Sequence, residues 1–331
     1  MTEQSKIPLD KSRPANAGDS LFERASGAFG LSAMKPAAPP LDLSQARERV
    51  APRRSQPQPI ATQAEAAPVA RAEVAPPQPA ESAETERVAL RGKAVSVDRK
   101  LLQETGMIVP DGPVTALLEE FRIVKRELLG DARETGTQAA RRILVCSPHP
   151  NEGKTYCAVN LALAMAAERD IEVVLVDADF GNPSVPGVLG FKSDRGFMDT
   201  LSDPSIAPED LVLSTDIEGL FVLPAGKRTT ADAEYLASRR TSEVLDRLTA
   251  GAPNRILIFD TPPALAASPA ADLAKHVGQA LLVARADVTG QSALEDASQL
   301  LSACPDIKLL LNATQFSPSG RKFGSYGGYG N

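Results

Sequence analysis

One stretch limits the folds open to this chain more than any other. Residues 143–146 (ILVC) form an uncharged apolar run of strand length, and they lead without a spacer into SPHPNEGKT, residues 147–155. A segment of helical character, residues 154–168, follows at once. A strand that enters a short glycine-bearing loop and passes directly into a helix points successive backbone N–H groups inward. Together with the partial positive charge of the helix N-terminus, those groups cradle anionic oxygens. The chain is therefore expected to build an open α/β sheet around an anion-binding loop.

The loop resembles the Walker A pattern G-x-x-x-x-G-K-[ST], with Pro148 in place of the first glycine. In that pattern Gly153 lets the backbone approach a phosphate, Lys154 reaches the β- and γ-phosphates, and the Thr155 hydroxyl ligates Mg²⁺. ATP and Mg²⁺ are the expected cofactors. The expected cofactor-binding set is Pro150, Asn151, Glu152, Gly153, Lys154 and Thr155, with Tyr156 at its margin, where packing suits it better than chemistry. Asn312, at the end of a late strand, could contact an adenine edge or simply close the strand.

Two further runs end in carboxylates. In VLVDAD, Asp177 and Asp179 stand at i and i+2 at the C-terminal end of a strand, where open α/β sheets bind ligands. A carboxylate there can hold Mg²⁺ or accept a proton from an attacking hydroxyl. In ILIFDTPP, Asp260 closes an apolar strand and the prolines stop it, as in a Walker B strand. Lys154, Thr155, Asp177, Asp179 and Asp260 are thus the candidate site residues, and the spacing leaves open which of Asp177 and Asp179 takes the metal and which the proton.

The remainder of the chain sets the organisation. Twelve of the 27 prolines fall between Pro8 and Pro79, in a stretch rich in Ala, Gln, Ser and Glu. Such a segment has too little apolar surface to offset ordering entropy, so residues 1–86 are expected to be disordered. Residues 87–315 are expected to form one domain, a doubly wound, mostly parallel sheet with strands near 143–146, 173–176, 220–223, 256–259, 280–284 and 308–311. Helices are expected over 114–129, 154–168, 233–248, 269–276 and 291–302. A net charge of −6, from 36 basic and 42 acidic residues, gives no reason to expect a nucleic-acid partner. Cys146, Cys157 and Cys304 form no CxxC pair, and buried free thiols are the expectation. With no apolar run of 18 residues, no transmembrane helix is expected. The tail, residues 316–331, places Tyr326 and Tyr329 among glycines, where they could enter a neighbour's active site.

Taken in this order, SPHPNEGKT, VLVDAD and IFDTPP resemble the bacterial tyrosine kinases of the MinD/ParA-like P-loop ATPases. The run EEFRIVKR (119–126) is similar to that family's E-x2-R-x2-R element, with Lys125 in place of the last arginine. The stretch PDGPVTALLEEFRIVKRELL further resembles its exopolysaccharide, exosortase-associated autokinase branch. The resemblance implies that Asp177 activates a tyrosine hydroxyl or helps hold the metal, and that Asp179 and Asp260 complete the metal site. It implies that Tyr326 and Tyr329 are phosphoacceptors, and that helix 114–129, through Glu119, Arg122 and Lys125, docks in a homo-oligomeric ring. It also implies a transmembrane polysaccharide co-polymerase (chain-length regulator) as adaptor, which would bring a cytoplasmic protein to the membrane. Family members usually carry a basic residue shortly after the second Asp; here Phe180, Gly181, Asn182 and Pro183 follow. That difference keeps a second reading open, a nucleotide-gated interaction module without tyrosine transfer.

Overall fold

The computed structural model describes residues 87–314. The expectations for residues 1–86, for residue 315 and for the tail with Tyr326 and Tyr329 lie outside the described residues. In chain order the elements are β1 (Ala94–Val95), α1 (Arg99–Glu104), α2 (Ala116–Thr135), β2 (Arg142–Cys146), α3 (Lys154–Ala166), β3 (Glu172–Asp177), α4 (Val185–Val188), α5 (Phe197–Ser202), β4 (Leu213–Thr215), β5 (Leu220–Leu223), α6 (Asp232–Leu236), α7 (Arg239–Thr249), β6 (Arg255–Asp260), α8 (Pro269–Ala274), β7 (Gln279–Arg285), α9 (Gln291–Leu300) and β8 (Ile307–Asn312).

The strands form one sheet in the order β1-β4-β5-β3-β6-β2-β7-β8. Every pairing is parallel except that of β4 with β5. Parallel strands covered on both faces must be apolar at every position, and side chains alternate between the faces. Accordingly Ile143, Val145, Val173, Leu175, Ile256 and Ile258 enter one core with α2 and α3. Leu144, Cys146, Val174, Val176, Leu257 and Phe259 enter the other with α5 through α9. Full burial of each such side chain stabilises the fold by about 1.5–3 kcal/mol. The sheet is doubly wound, as the alternation of strands and helices implied.

Two of the expected helices differ most from the structure. Helix α2 starts at Ala116, because the Thr115 side chain caps it by accepting the Leu118 N–H, and runs past Leu129 to Thr135. It stops only where Gly136, at φ 67°, donates its N–H to the Ala132 carbonyl; Gly130 inside the helix costs propensity without ending it. The single helix expected over 233–248 is two, α6 and α7. Ser238 is extended (φ −77°, ψ 159°), and the hydroxyls of Ser238 and Thr241 both donate to the Tyr235 carbonyl. These local bonds take the place of helical ones.

Upstream of α2 the chain crosses the start of β6 and goes on to the sheet's far edge at β1 and β4. The Val88 carbonyl accepts from buried Arg255, and the Asp216 carboxylate accepts from Ser96 Oγ, the Val97 N–H and Arg99. Those donors, Arg99 foremost, hold the Asp216 carboxyl well below the usual carboxylate range.

Candidate active site

The C-terminal ends of β2, β3 and β6 are neighbours in the sheet, so the segments that follow them meet on one rim. The loop after β2 is built from its own backbone requirements. Asn151 (φ 64°) and Gly153 (φ 97°) both take left-handed conformations. A Cβ on Gly153 would lie 2.0 Å from the Asn312 amide nitrogen, so the position is restricted by space as well as by φ. Pro148, where the pattern expects glycine, is buried, and its carbonyl accepts the Leu265 N–H at 3.2 Å. Ser147 accepts the Ala264 N–H in the same way at 2.8 Å. The segment after β6, with its two prolines, thereby braces the loop.

The Glu152 side chain is 3% exposed and ties the loop to its surroundings. Its Oε2 accepts the His149 N–H at 2.7 Å, and its Oε1 accepts the Thr289 hydroxyl. The Glu152 carbonyl accepts the Asn312 Nδ2 at 2.9 Å. Thr289 in turn accepts the Arg285 N–H at 2.8 Å through the same hydroxyl. Loop, β7 end and β8 end are thus joined at one residue, Glu152, through its carboxylate and its backbone carbonyl. Thr289 escaped the sequence reading; its signal was a Thr-Gly pair just after a buried strand on the ligand-binding rim. Asn312 does reach the loop, although its Nδ2 is engaged on the Glu152 backbone, which leaves the side-chain oxygen for any further contact. Tyr156 points away: its hydroxyl donates to the Gly106 carbonyl at 2.8 Å.

Lys154 and Thr155 open α3 and lie against the carboxylates. Lys154 Nζ is 2.8 Å from Asp179 Oδ2, and Thr155 Oγ1 donates to Asp260 Oδ2 at 2.7 Å. Burial works against the Lys154 charge, but Asp260, Asp179 and Asp177 outweigh it and raise its pKa. Asp260 is fully buried, and that burial pushes its carboxyl up to about 7, against the opposing pull of Lys154 and Thr155. Asp177 is also fully buried and is pushed up to about 6 by the same cause. It accepts the N–H groups of Asp179, Ser184 and Val185, at 3.2, 2.9 and 3.0 Å, and so clamps the loop that follows β3. Asp179 accepts the Asn182 N–H through its other oxygen. The three aspartates, Lys154 and Thr155 come together as the sequence implied, but Asp177 is held by backbone donors on both oxygens, whereas Asp179 faces Lys154.

The donors present fit a Mg²⁺–nucleotide. Asp260 Oδ1 is a buried carboxylate oxygen with no hydrogen-bond partner, beside a threonine hydroxyl. Among the described residues no three His, Cys, Asp or Glu side chains are gathered as a metal cage. Mg²⁺ takes one or two protein ligands and completes its shell with water and phosphate oxygens, a demand that Asp260 Oδ1 and the Thr155 hydroxyl suit.

Helix α2 departs from expectation at one residue. Lys125 is 8% exposed; its Nζ donates to the Ala164 carbonyl at 2.8 Å and lies 2.7 Å from Glu168. It is therefore spent on the end of α3 and is not presented to a neighbour. Glu119 and Arg122 pair with each other at a half-exposed position. Among the described residues no helix is long and apolar enough to cross a membrane.

No family model matches the chain. It is 30% identical over 237 residues to the tyrosine-protein kinase YwqD of Bacillus subtilis, an alignment that takes in 72% of this chain and 96% of that one. It is 27% identical over 189 residues, 56% of this chain, to the tyrosine-protein kinase wzc of Salmonella typhimurium. The match spans only about a quarter of that protein, 25% of its length. Among solved structures, the kinase domain of the Escherichia coli tyrosine kinase ETK aligns with a TM-score of 0.55 at 21% identity, over 70% of this chain and 91% of that one. The structural likeness establishes the fold.

Proposed function

The chain belongs to the bacterial tyrosine-protein kinase family, and from that premise we propose that it is an ATP-dependent tyrosine autokinase whose phosphoacceptors are Tyr326 and Tyr329 of another copy. The observation that carries this reading is the docking of the loop's cation and hydroxyl, Lys154 and Thr155, on two different carboxylates, Asp179 and Asp260. ATP–Mg²⁺, when bound, supplies the phosphoryl group and neutralises charge on it.

The chain's own residues do the positioning. The backbone N–H groups of the loop through Gly153 and the first turn of α3 receive phosphate oxygens. Thr155 and Asp260, with Asp179, would hold the metal. Lys154 would pair with phosphate oxygen in place of Asp179, and the Asp179 oxygen so released could accept the proton of an incoming tyrosine hydroxyl. Asp177 keeps the loop after β3 in place around that oxygen. Helix α2 presents Glu119 and Arg122, with Arg126 and Arg133 beside them, along a groove of about 480 Å³; this face contacts the next copy in a ring. A transmembrane polysaccharide co-polymerase recruits the protein to the membrane, and the phosphorylation state of the tail regulates exopolysaccharide synthesis or export.

The test is mass spectrometry of phosphotyrosine after incubation of the purified chain with ATP–Mg²⁺. Label on Tyr326 or Tyr329 that vanishes in Lys154→Ala is expected. Label that persists unchanged in the Tyr326→Phe/Tyr329→Phe double variant rejects the tail as substrate. A second reading, a nucleotide-gated interaction module, draws on the absence of any cation between Phe180 and Pro183. Nucleotide-dependent assembly without phosphotyrosine, even beside the membrane partner, would favour it.

A further inference from the structure

Beyond the phosphate loop, the same rim carries a strongly cationic groove. It lies where the end of β5, the segment before α5 and the edge strand β1 meet, and has a volume of about 900 Å³. Lys93, Lys192, Arg195 and Lys227 line it, all exposed. Among the described residues none of the four forms a salt bridge with a carboxylate. Two acids line the groove as well. Asp210 is already taken by Arg91, 2.7 Å away, and Asp194 alone does not balance four cations. In a chain of net charge −6 this concentration of positive charge runs against the average.

The groove is built on fixed backbone. The Asp199 carboxylate accepts the Gly196 N–H at 2.9 Å and the Lys227 N–H at 3.2 Å, locking the two segments that carry Arg195 and Lys227. The Pro224 carbonyl accepts the Phe197 N–H at 2.7 Å. A Cβ on Gly196 would sit 1.8 Å from that carbonyl oxygen, so the segments are in close contact. One wall is β1, the terminal strand of the sheet, with β4 on one side and no strand on the other among the described residues. An edge strand beside an open groove accepts an extended peptide.

The groove also has a definite position relative to the candidate active site. Phe180, next to Asp179, packs against Phe197 with ring centroids 6.2 Å apart, and Phe197 lies two residues from Arg195.

We propose that this groove is a docking site for an extended acidic peptide of another protein, laid along β1 with its carboxylates on Lys93, Lys192, Arg195 and Lys227. Charge decides the class of occupant. The chain's own tail, residues 315–331, contains Arg321 and Lys322 and neither Asp nor Glu, so it has the wrong sign for this groove. The site therefore serves a partner or substrate other than the tail, and binding there does not depend on tyrosine transfer.

The experiment is fluorescence anisotropy of a short fluorescein-labelled peptide of alternating Glu and Ser, titrated with the full chain at low salt. Saturable binding is expected, weakening as salt rises. The double variant Arg195→Glu/Lys227→Glu should bind at least about tenfold more weakly, because reversal adds repulsion to lost attraction. Lys100→Glu/Lys275→Glu, which makes the same change in net charge away from the groove, should bind like the parent chain. Thermal melting of each variant establishes that it is folded. Equal losses in the two double variants, or no binding by the parent chain, overturn the proposal. So does binding to phosphatidylglycerol vesicles without binding to the peptide, which would make the surface a lipid contact.

Discussion

Lys154 Nζ rests 2.8 Å from Asp179 Oδ2, so the loop's cation is held by the carboxylate it must leave to meet a phosphate. Removing the cation and removing its partner should therefore have opposite effects on the free loop. Lys154→Ala is expected to lower phosphoryl transfer by at least about a hundredfold, the usual scale for a lost charge-stabilising donor. Asp179→Asn should leave ATP binding intact or tighter, because Lys154 is no longer competed for, while transfer falls. Isothermal titration with ATP–Mg²⁺, set beside single-turnover transfer, separates the two. Weaker ATP binding in Asp179→Asn would count against the exchange.

The Thr289 hydroxyl is the outer support of Glu152. In Thr289→Val that hydroxyl is lost and a buried carboxylate oxygen is left without its donor, at a cost of about 1–3 kcal/mol. The loop loosens, and the KM for ATP should rise about tenfold or more with a smaller change in kcat. Thr289→Ser keeps the hydroxyl and should restore most of the affinity. Equal KM values in Val and Ser variants would show that Glu152 holds the loop without Thr289.

Most of this architecture was legible because its signals are local. Four-residue uncharged runs such as ILVC and ILIF suggest strands covered on both faces, and Asp177 and Asp260 each close such a strand. The missed parts lack a local signal. Strand β1 is two residues long and exists through pairing with β4, more than a hundred residues away. Asp177 looks from sequence like the twin of Asp179. Only the fold shows that backbone N–H groups from residues 184 and 185 return to it and make it a clamp. Thr289 and Asn312 meet Glu152 across two strand ends, a relationship that no spacing along the chain encodes.

Burial raises the Asp260 carboxyl to about 7 and that of Asp177 to about 6, above the value of about 3.9 expected in the unfolded chain. A carboxyl whose folded pKa is raised contributes stability that is full below its unfolded pKa and is lost as pH rises through its folded pKa. Without metal, the melting temperature should therefore fall as pH increases from about 5 to about 8, the two groups titrating as a coupled pair. A cation beside Asp260 takes over the role of the proton, so ATP–Mg²⁺ should flatten the decline. Melting curves in EDTA and in ATP–Mg²⁺ across that range provide the check; a melting temperature that rises toward pH 8 in EDTA would contradict the assignment.

Lys125 distinguishes a ring contact from an internal support. Its ammonium is buried and satisfied by the Ala164 carbonyl and Glu168, so it sits at the C-terminal end of α3, where a positive charge is favoured by the helix dipole. Lys125→Ala removes the charge, the hydrogen bond and the packed stem. It should destabilise the fold by about 1–3 kcal/mol, because the carbonyl loses its donor and a cavity remains. Arg122→Ala, at a half-exposed position paired among the described residues with Glu119 on its own helix, should cost little stability and act instead on assembly. Chemical denaturation and sedimentation velocity on the two variants should give contrasting results, a lowered midpoint with assembly retained for Lys125→Ala and an unchanged midpoint with assembly impaired for Arg122→Ala. Impaired assembly at unchanged stability in Lys125→Ala would return that lysine to the interface that its place in the E-x2-R-x2-R-like run suggests.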